Sequence, residues 1–258
     1  MVQFPVKVIN LARSTDRREA FIRNNPELSY EFFPAVDGRT LTDQALDACG
    51  LFVPPLRFPG MGAFGLAMTH AKLWDLAIDS NRPVTVAEDD VVFRADFAQA
   101  SQAALARLPQ DWDFITWGWN FDSILSVRPM KGNVDSVLSV RALPGISPVV
   151  MLFSQAELRR NVGNFRRTTE PVAGLGLDKC FGTPAYTISP AGARKFKQQC
   201  FPLRDMAVWF PGLEVNVANT GIDIAMNAVY PHTNSYVAFP PLAVTPNDTA
   251  NSTVQKPS

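Results

Sequence analysis

Three consecutive carboxylates, Glu88-Asp89-Asp90, interrupt an apolar, β-rich run that extends from Pro83 to Phe93. Carboxylates are depleted in strand interiors, and side by side they also repel one another. A hard divalent cation with oxygen ligands relieves that repulsion, so the triplet reads as a metal site at a strand end. In open α/β sheets ligands sit beyond the carboxyl ends of strands, where this triplet would fall. The competing reading is a solvated acidic turn between two buried segments.

Other residues with chemical potential are spread along the chain. Arg13, Arg17 and Arg18 crowd the junction between a first strand, Val6 to Leu11, and a helix that Ser14 or Thr15 can cap. Strand-to-helix junctions bind phosphates, while three arginines also suit a solvated helix face. Asp37-Gly38 ends a second strand, Tyr30 to Val36, and is itself strong turn chemistry. His70 lies one turn before Trp74 on an apolar helical stripe, a setting more typical of a hydrogen-bonded structural histidine. Asp223 stands alone in an otherwise uncharged, largely apolar stretch and needs a partner or a task; a helix cap would serve equally.

The elements that must position these groups alternate. Helices are predicted over Ala63–Ser80 and Ala95–Leu108, and a strand over Asp111–Gly118, so the first 118 residues read as an α/β sheet of mostly parallel strands. The Pro- and Gly-rich stretch Leu51–Gly62 is predicted to be a loop beside the site. Between Asn120 and Pro148 only scattered β-like pieces such as Val137–Val140 emerge. Ser154 and Glu157 match a capping box, Phe181–Ile188 looks extended, and Ser189-Pro190 opens a further helix. The expected organisation is one domain over 1–240 and a loose tail over 241–258.

Composition narrows the class. A chain of 258 residues that is 47% hydrophobic can bury a substantial core, and its formal net charge of +0 offers no global field for nucleic acid or an anionic membrane. Three cysteines without close spacing favour a reducing compartment and give no thiolate metal site. With no apolar run of 18 residues, a cytoplasmic protein is expected.

Several stretches resemble glycosyltransferase family 25 in the same order. They are Val8–Leu11 with Asp16-Arg17-Arg18, Ala35–Gly38, Gly62–His70 with Trp74, Glu88–Val91, and Gly182–Ser189 with Gly192-Ala193; Asp223 falls where the family carries a late aspartate. The chain departs from the family pattern at Ala63 (usually glutamate), Leu66 (cysteine), Thr69 (serine) and Ala87 (leucine). The resemblance implies a GT-A type nucleotide-binding fold, a UDP-sugar donor and Mn²⁺ or Mg²⁺. Glu88 and Asp90 would hold the metal. Asn10, Leu11, Arg13, Arg17 and Arg18, with Asp37, His70 and Asp89, would form the donor side. Asp223, or failing it Asp178, would be the base of an inverting transfer of galactose or a related hexose to a saccharide such as lipooligosaccharide. It also implies peripheral contact with the inner face of a membrane. The alternatives are an inactive sugar-nucleotide- or glycan-binding relative, which the loss of glutamate at position 63 keeps open, and a metal-free hydrolase with paired carboxylates. Without a GxxxxGK[ST] loop, phosphoryl transfer is disfavoured.

Overall fold

Alternation along the strands assigns side chains to two buried faces. Ile9, Val84, Val86, Phe114, Tyr186 and Ile188 enter one apolar cluster, whereas Val6, Val8, Ala87, Ile115 and Ala185 enter another. A sheet whose faces are both buried reads as near-continuous hydrophobic runs, and this explains the apolar stretches on either side of the acidic triplet. The computed structural model describes residues 5–128, 149–211 and 213–246.

The elements follow in chain order: β1 (Val6–Asn10), α1 (Thr15–Asn24), β2 (Tyr30–Pro34), α2 (Asp43–Ala48), α3 (Met61–Ser80), β3 (Val84–Glu88), β4 (Val92–Phe93), α4 (Phe97–Arg107), β5 (Phe114–Thr116) and β6 (Ile124–Arg128). The chain continues with β7 (Val149–Leu152), α5 (Gln155–Arg167), β8 (Ala173–Cys180), β9 (Ala185–Ile188), α6 (Pro190–Cys200), β10 (Ala207–Phe210), β11 (Val215–Ala218), α7 (Ile222–Val229), β12 (Ser235–Phe239) and β13 (Ala243–Val244).

A nine-stranded sheet takes the order β2-β1-β3-β9-β5-β12-β8-β6-β7. Strands β2, β1, β3, β5, β12 and β6 point one way and β9, β8 and β7 the other. The expected α/β sheet flanked by helices is therefore present, mixed but with most strands sharing a direction. Helices α3, α6 and α7 supply Trp74, Phe196 and Met226 to one face; α1 and α4 supply Phe21 and Phe97 to the other.

Local chemistry agrees at most boundaries. The Ser154 side chain accepts from Glu157 N and opens α5, and the Ser189 side chain accepts from Gly192 N ahead of Pro190. At α1, Ser14 holds the N-cap position without a side-chain bond. The β-like Val137–Val140 lies outside the described residues.

One expectation needs correction. The start of the supposed loose tail is ordered: Leu242, Ala243 and Val244 are fully buried, and β13 pairs antiparallel with β4. Leu242 and Ala243 donate their N–H groups to Trp117 O at 2.8 and 3.0 Å. The apolar triplet is buried and its amides are paired, which outweighs the loop-like composition around it.

Candidate active site

The site begins with a register. Strands β1 and β3 are parallel with Ile9 opposite Glu88, so the next residues on each strand, Asn10 and Asp89, are neighbours. Asn10 Nδ2 donates to Asp89 Oδ2 at 2.7 Å and to Ser14 O at 3.2 Å. Arg17, in the first turn of α1, pairs with the other oxygen of Asp89 and lies 3.4 Å from Asp90 Oδ2. Asp89 is thus an anchored carboxylate, buried and held on both sides.

Its neighbours are left differently. Thr183 Oγ1 donates to Glu88 Oε1 at 2.9 Å. Burial, reinforced by the charge of Asp90, pushes Glu88 up to about 8, and burial also raises Asp90. Asp90 Oδ1 is buried without a hydrogen-bond partner. Asp89 and Asp90 therefore share the Arg17 guanidinium, and Glu88 and Asp90 resist ionisation. Below the turn, Asn25 clamps the exiting chain, donating to Val91 O at 2.9 Å and accepting from Phe93 N at 2.8 Å.

The loop from Phe181 to Pro184 ties this acidic turn to the late aspartate. Gly182 N donates to Asp223 Oδ2 at 3.3 Å, and Thr183 is the residue bonded to Glu88. One dipeptide bridges the two carboxylates, so those oxygens lie no more than about 13 Å apart. Gly182 has φ +76°, and a Cβ there would meet Asn120 Oδ1 at 2.4 Å, so this position needs glycine. Asp223 sits half-buried in the first turn of α7, its proton affinity raised by burial. Asn227 fixes that helix to the end of β8 by exchanging bonds with Cys180 N and O at 2.9 and 2.7 Å.

The remaining candidate residues fall into two groups. Arg13 pairs with Asp37 at 3.1 Å across the ends of β1 and β2, beside Leu11, whose carbonyl accepts from Ser14 N at 2.8 Å. Asp37 also accepts from Arg39 N at 3.0 Å, so it is turn former and ion-pair partner together. Arg18 is not brought in; its guanidinium lies over the Phe32 ring, 4.2 Å from the centroid. Asp178 is engaged by Ser126 at 2.8 Å and by Lys179 at 3.2 Å, with no contact to the acidic turn among the described residues. His70 is fully buried and kept neutral, burial lowering it to about 3. Its Nδ1 meets the Tyr186 hydroxyl at 2.7 Å, and that hydroxyl accepts from Trp74 Nε1 at 3.0 Å. The histidine tautomer sets which of Nδ1 and the tyrosine hydroxyl donates, and Nε2 is buried without a hydrogen-bond partner.

The Gly62–His70 motif has a packing explanation. A Cβ at Gly65 would meet Val36 O at 2.3 Å, and one at Gly38 would meet Met61 O at 2.1 Å. Thr69 Oγ1 accepts from Val36 N at 2.9 Å and donates to Gly65 O at 2.7 Å. Backbone approach between α3 and the end of β2 therefore sets these residue types and presents Asp37 beside Arg13.

Among the described residues, no three His, Cys, Asp or Glu side chains form a ready metal cage. Glu88 and Asp90 nevertheless fit a hard cation held partly by substrate and water, since both are oxygen donors and Asp90 Oδ1 lacks a partner.

The mixed α/β sheet thus sets an acidic strand end against an Arg-bearing helix start. The profile of glycosyltransferase family 25 (LPS biosynthesis protein) matches residues 4–209, and the chain belongs to that family. The sheet architecture is consistent with a GT-A-like fold. Similar proteins include a glycosyltransferase 25 family member of Aedes aegypti, 36% identical over 125 residues, covering 44% of this chain and 21% of that protein. Procollagen galactosyltransferase 1 of Danio rerio is 29% identical over 126 residues, covering 44% and 21%. Probable inactive glycosyltransferase 25 family member 3 of Bos taurus is likewise 29% identical over 126 residues, with the same coverage. The matched segment is about a fifth of each relative's length. Asp223 lies beyond the end of the family match.

Sequence reasoning missed Thr183 and Asn25 as partners of the acidic turn. Each is distant in sequence, and its hydroxyl or amide carries no signal of its own.

Proposed function

We propose that the chain transfers a hexose, galactose being the first candidate, from a UDP-sugar to a hydroxyl of a saccharide acceptor such as lipooligosaccharide, with inversion at the anomeric carbon and with Mn²⁺ or Mg²⁺. The single observation that carries this reading is the Glu88–Asp90 turn joined through Gly182-Thr183 to Asp223. An acceptor hydroxyl and a leaving diphosphate must occupy opposite sides of one sugar carbon. A hexose ring of about 5 Å with about 3 Å of hydrogen bond at each side spans about 11 Å, within the separation the dipeptide permits.

On the donor side, Glu88 and Asp90 would hold the cation, which when bound supplies positive charge to the departing diphosphate. Asn10 and Arg17 orient Asp89 and thereby the turn, and Arg13 with Asp37 would border the nucleotide. On the acceptor side, Asp223 Oδ2 is oriented by the Gly182 N–H, and its raised proton affinity suits it to take the acceptor's proton. Among the described residues no helix is long and apolar enough to cross a membrane, and action at the inner membrane face belongs to this proposal.

A thermal-shift screen of UDP-, GDP- and CMP-sugars, each with and without Mn²⁺, tests it. A ligand that binds the folded state raises Tm. The expected result is a shift with a UDP-sugar that requires the cation. A flat response to every sugar nucleotide would refute the reading.

A further inference from the structure

The ordered segment after β12 runs directly over the acidic turn. Strand β13 pairs with Val92-Phe93, the residues that leave the turn, and Arg94 N donates to Leu242 O at 3.0 Å. At Gly118 a Cβ would lie 2.0 Å from Ala243 O, so two backbones touch there. Helix α5 latches the far end: Gln155 Nε2 donates to Thr245 O at 3.2 Å and Pro246 O at 2.6 Å, and Arg159 Nε donates to Pro246 O at 2.9 Å. Val244 packs with Val92 and Leu158 beneath it.

This strap delivers one polar side chain. Thr245 is buried, and its hydroxyl bonds the Asp90 carboxylate. Arg17 approaches Asp90 Oδ2, while Oδ1 stays buried and unmatched. We propose that Thr245 is a positioning residue for the cation-and-diphosphate side of the site, turning Asp90 so that Oδ1 is presented to the ligand. The inference rests on the transferase reading above, and it assigns a role to a segment lying beyond residue 209, where the family match ends. A hydroxyl that donates to a carboxylate holds it in one rotamer, so its loss lets Asp90 turn toward Arg17 and withdraw from the cation.

The test is a titration of MnCl₂ into the full chain with saturating UDP, read as the Tm shift, for wild type, Thr245→Val and Thr245→Ser. Thr245→Val keeps the shape and deletes the donor; Thr245→Ser keeps the donor. The expected result is an apparent Mn²⁺ affinity about tenfold weaker in Thr245→Val and within about twofold of wild type in Thr245→Ser. If Thr245→Val does not fold, Gln155→Glu sets a carboxylate against the Thr245 and Pro246 carbonyls, and its expected loss is of the same order. Wild-type affinity in folded Thr245→Val, or in Gln155→Glu where that stands in for it, overturns the inference. So does an equal loss in the valine and serine variants, which would mean shape and not the hydroxyl matters. Failure of the wild type to respond to Mn²⁺ and UDP overturns the transferase reading itself, a distinguishable outcome.

Discussion

Replacing Asn10 by Asp changes one NH₂ into an oxygen and tests how the acidic turn is held. The amide donates to Asp89 Oδ2 at 2.7 Å inside a buried pair, so the variant sets two carboxylates face to face. Two like charges about 4 Å apart repel by about 4 kcal/mol at an effective dielectric of 20. Proton uptake limits the penalty: neutralising one acid of ordinary pKa about 4 costs about 5 kcal/mol at pH 7.5 but only about 1.4 kcal/mol at pH 5. Arg17 offsets part of the repulsion through its contact with Asp89. The expected destabilisation is therefore about 3–5 kcal/mol at pH 7.5 and about 1–1.5 kcal/mol at pH 5. At about 2–4 °C per kcal/mol, Tm should drop by about 6–20 °C at the higher pH and by only a few degrees at the lower. Differential scanning fluorimetry at both pH values reads this directly. An equal Tm change at pH 5 and 7.5, or none, would refute the Asn10–Asp89 contact and with it the packing of the turn.

Two further outcomes follow from the same geometry. Asp223→Asn is expected to lower kcat by about 10²–10⁴ while leaving the UDP-induced thermal shift intact, because the amide oxygen still accepts from Gly182 N. Glu88 titrates near 8 when folded and in the usual carboxylate range when unfolded, so the folded state binds more protons between those values. Cation-free protein should lose stability as pH rises from about 5 to about 8, Mn²⁺ with UDP should recover it most at the upper end, and Glu88→Gln should flatten the decline in Tm scans.

How much of this was legible depended on whether a residue carries its signal locally. The acidic triplet was, because charge inside an apolar strand has few explanations, and so was the Ser189-Pro190 helix start. The sheet was legible only in class. Antiparallel β9 sits between β3 and β5, and nothing within Ala185–Ile188 distinguishes that insertion from one more parallel strand. Gly38 and Gly65 stood out as motif members, yet their reason, backbone contact between the segment after β2 and α3, required coordinates. The start of the tail was misjudged because the Pro, Asn and Thr content around it hides the buried triplet Leu242–Val244. Arg18 shared the appeal of Arg17, but α1 turns it over Phe32, a matter of helical phase about a strand end whose position was unknown. Thr183 and Thr245 gain meaning only from the carboxylates they touch.

The central claim is that the Glu88–Asp90 turn and Asp223 form a single sugar-transfer site. Its most direct measurement is product formation from UDP-galactose and a galactose-accepting oligosaccharide, followed by NMR with Mn²⁺ and with chelator, for wild type, Asp90→Asn and Asp223→Asn. The account predicts an inverted glycosidic linkage and free UDP from the wild type with Mn²⁺, and loss of both in the chelated protein and in either variant. Undiminished linkage formation in chelator and in Asp90→Asn would contradict it.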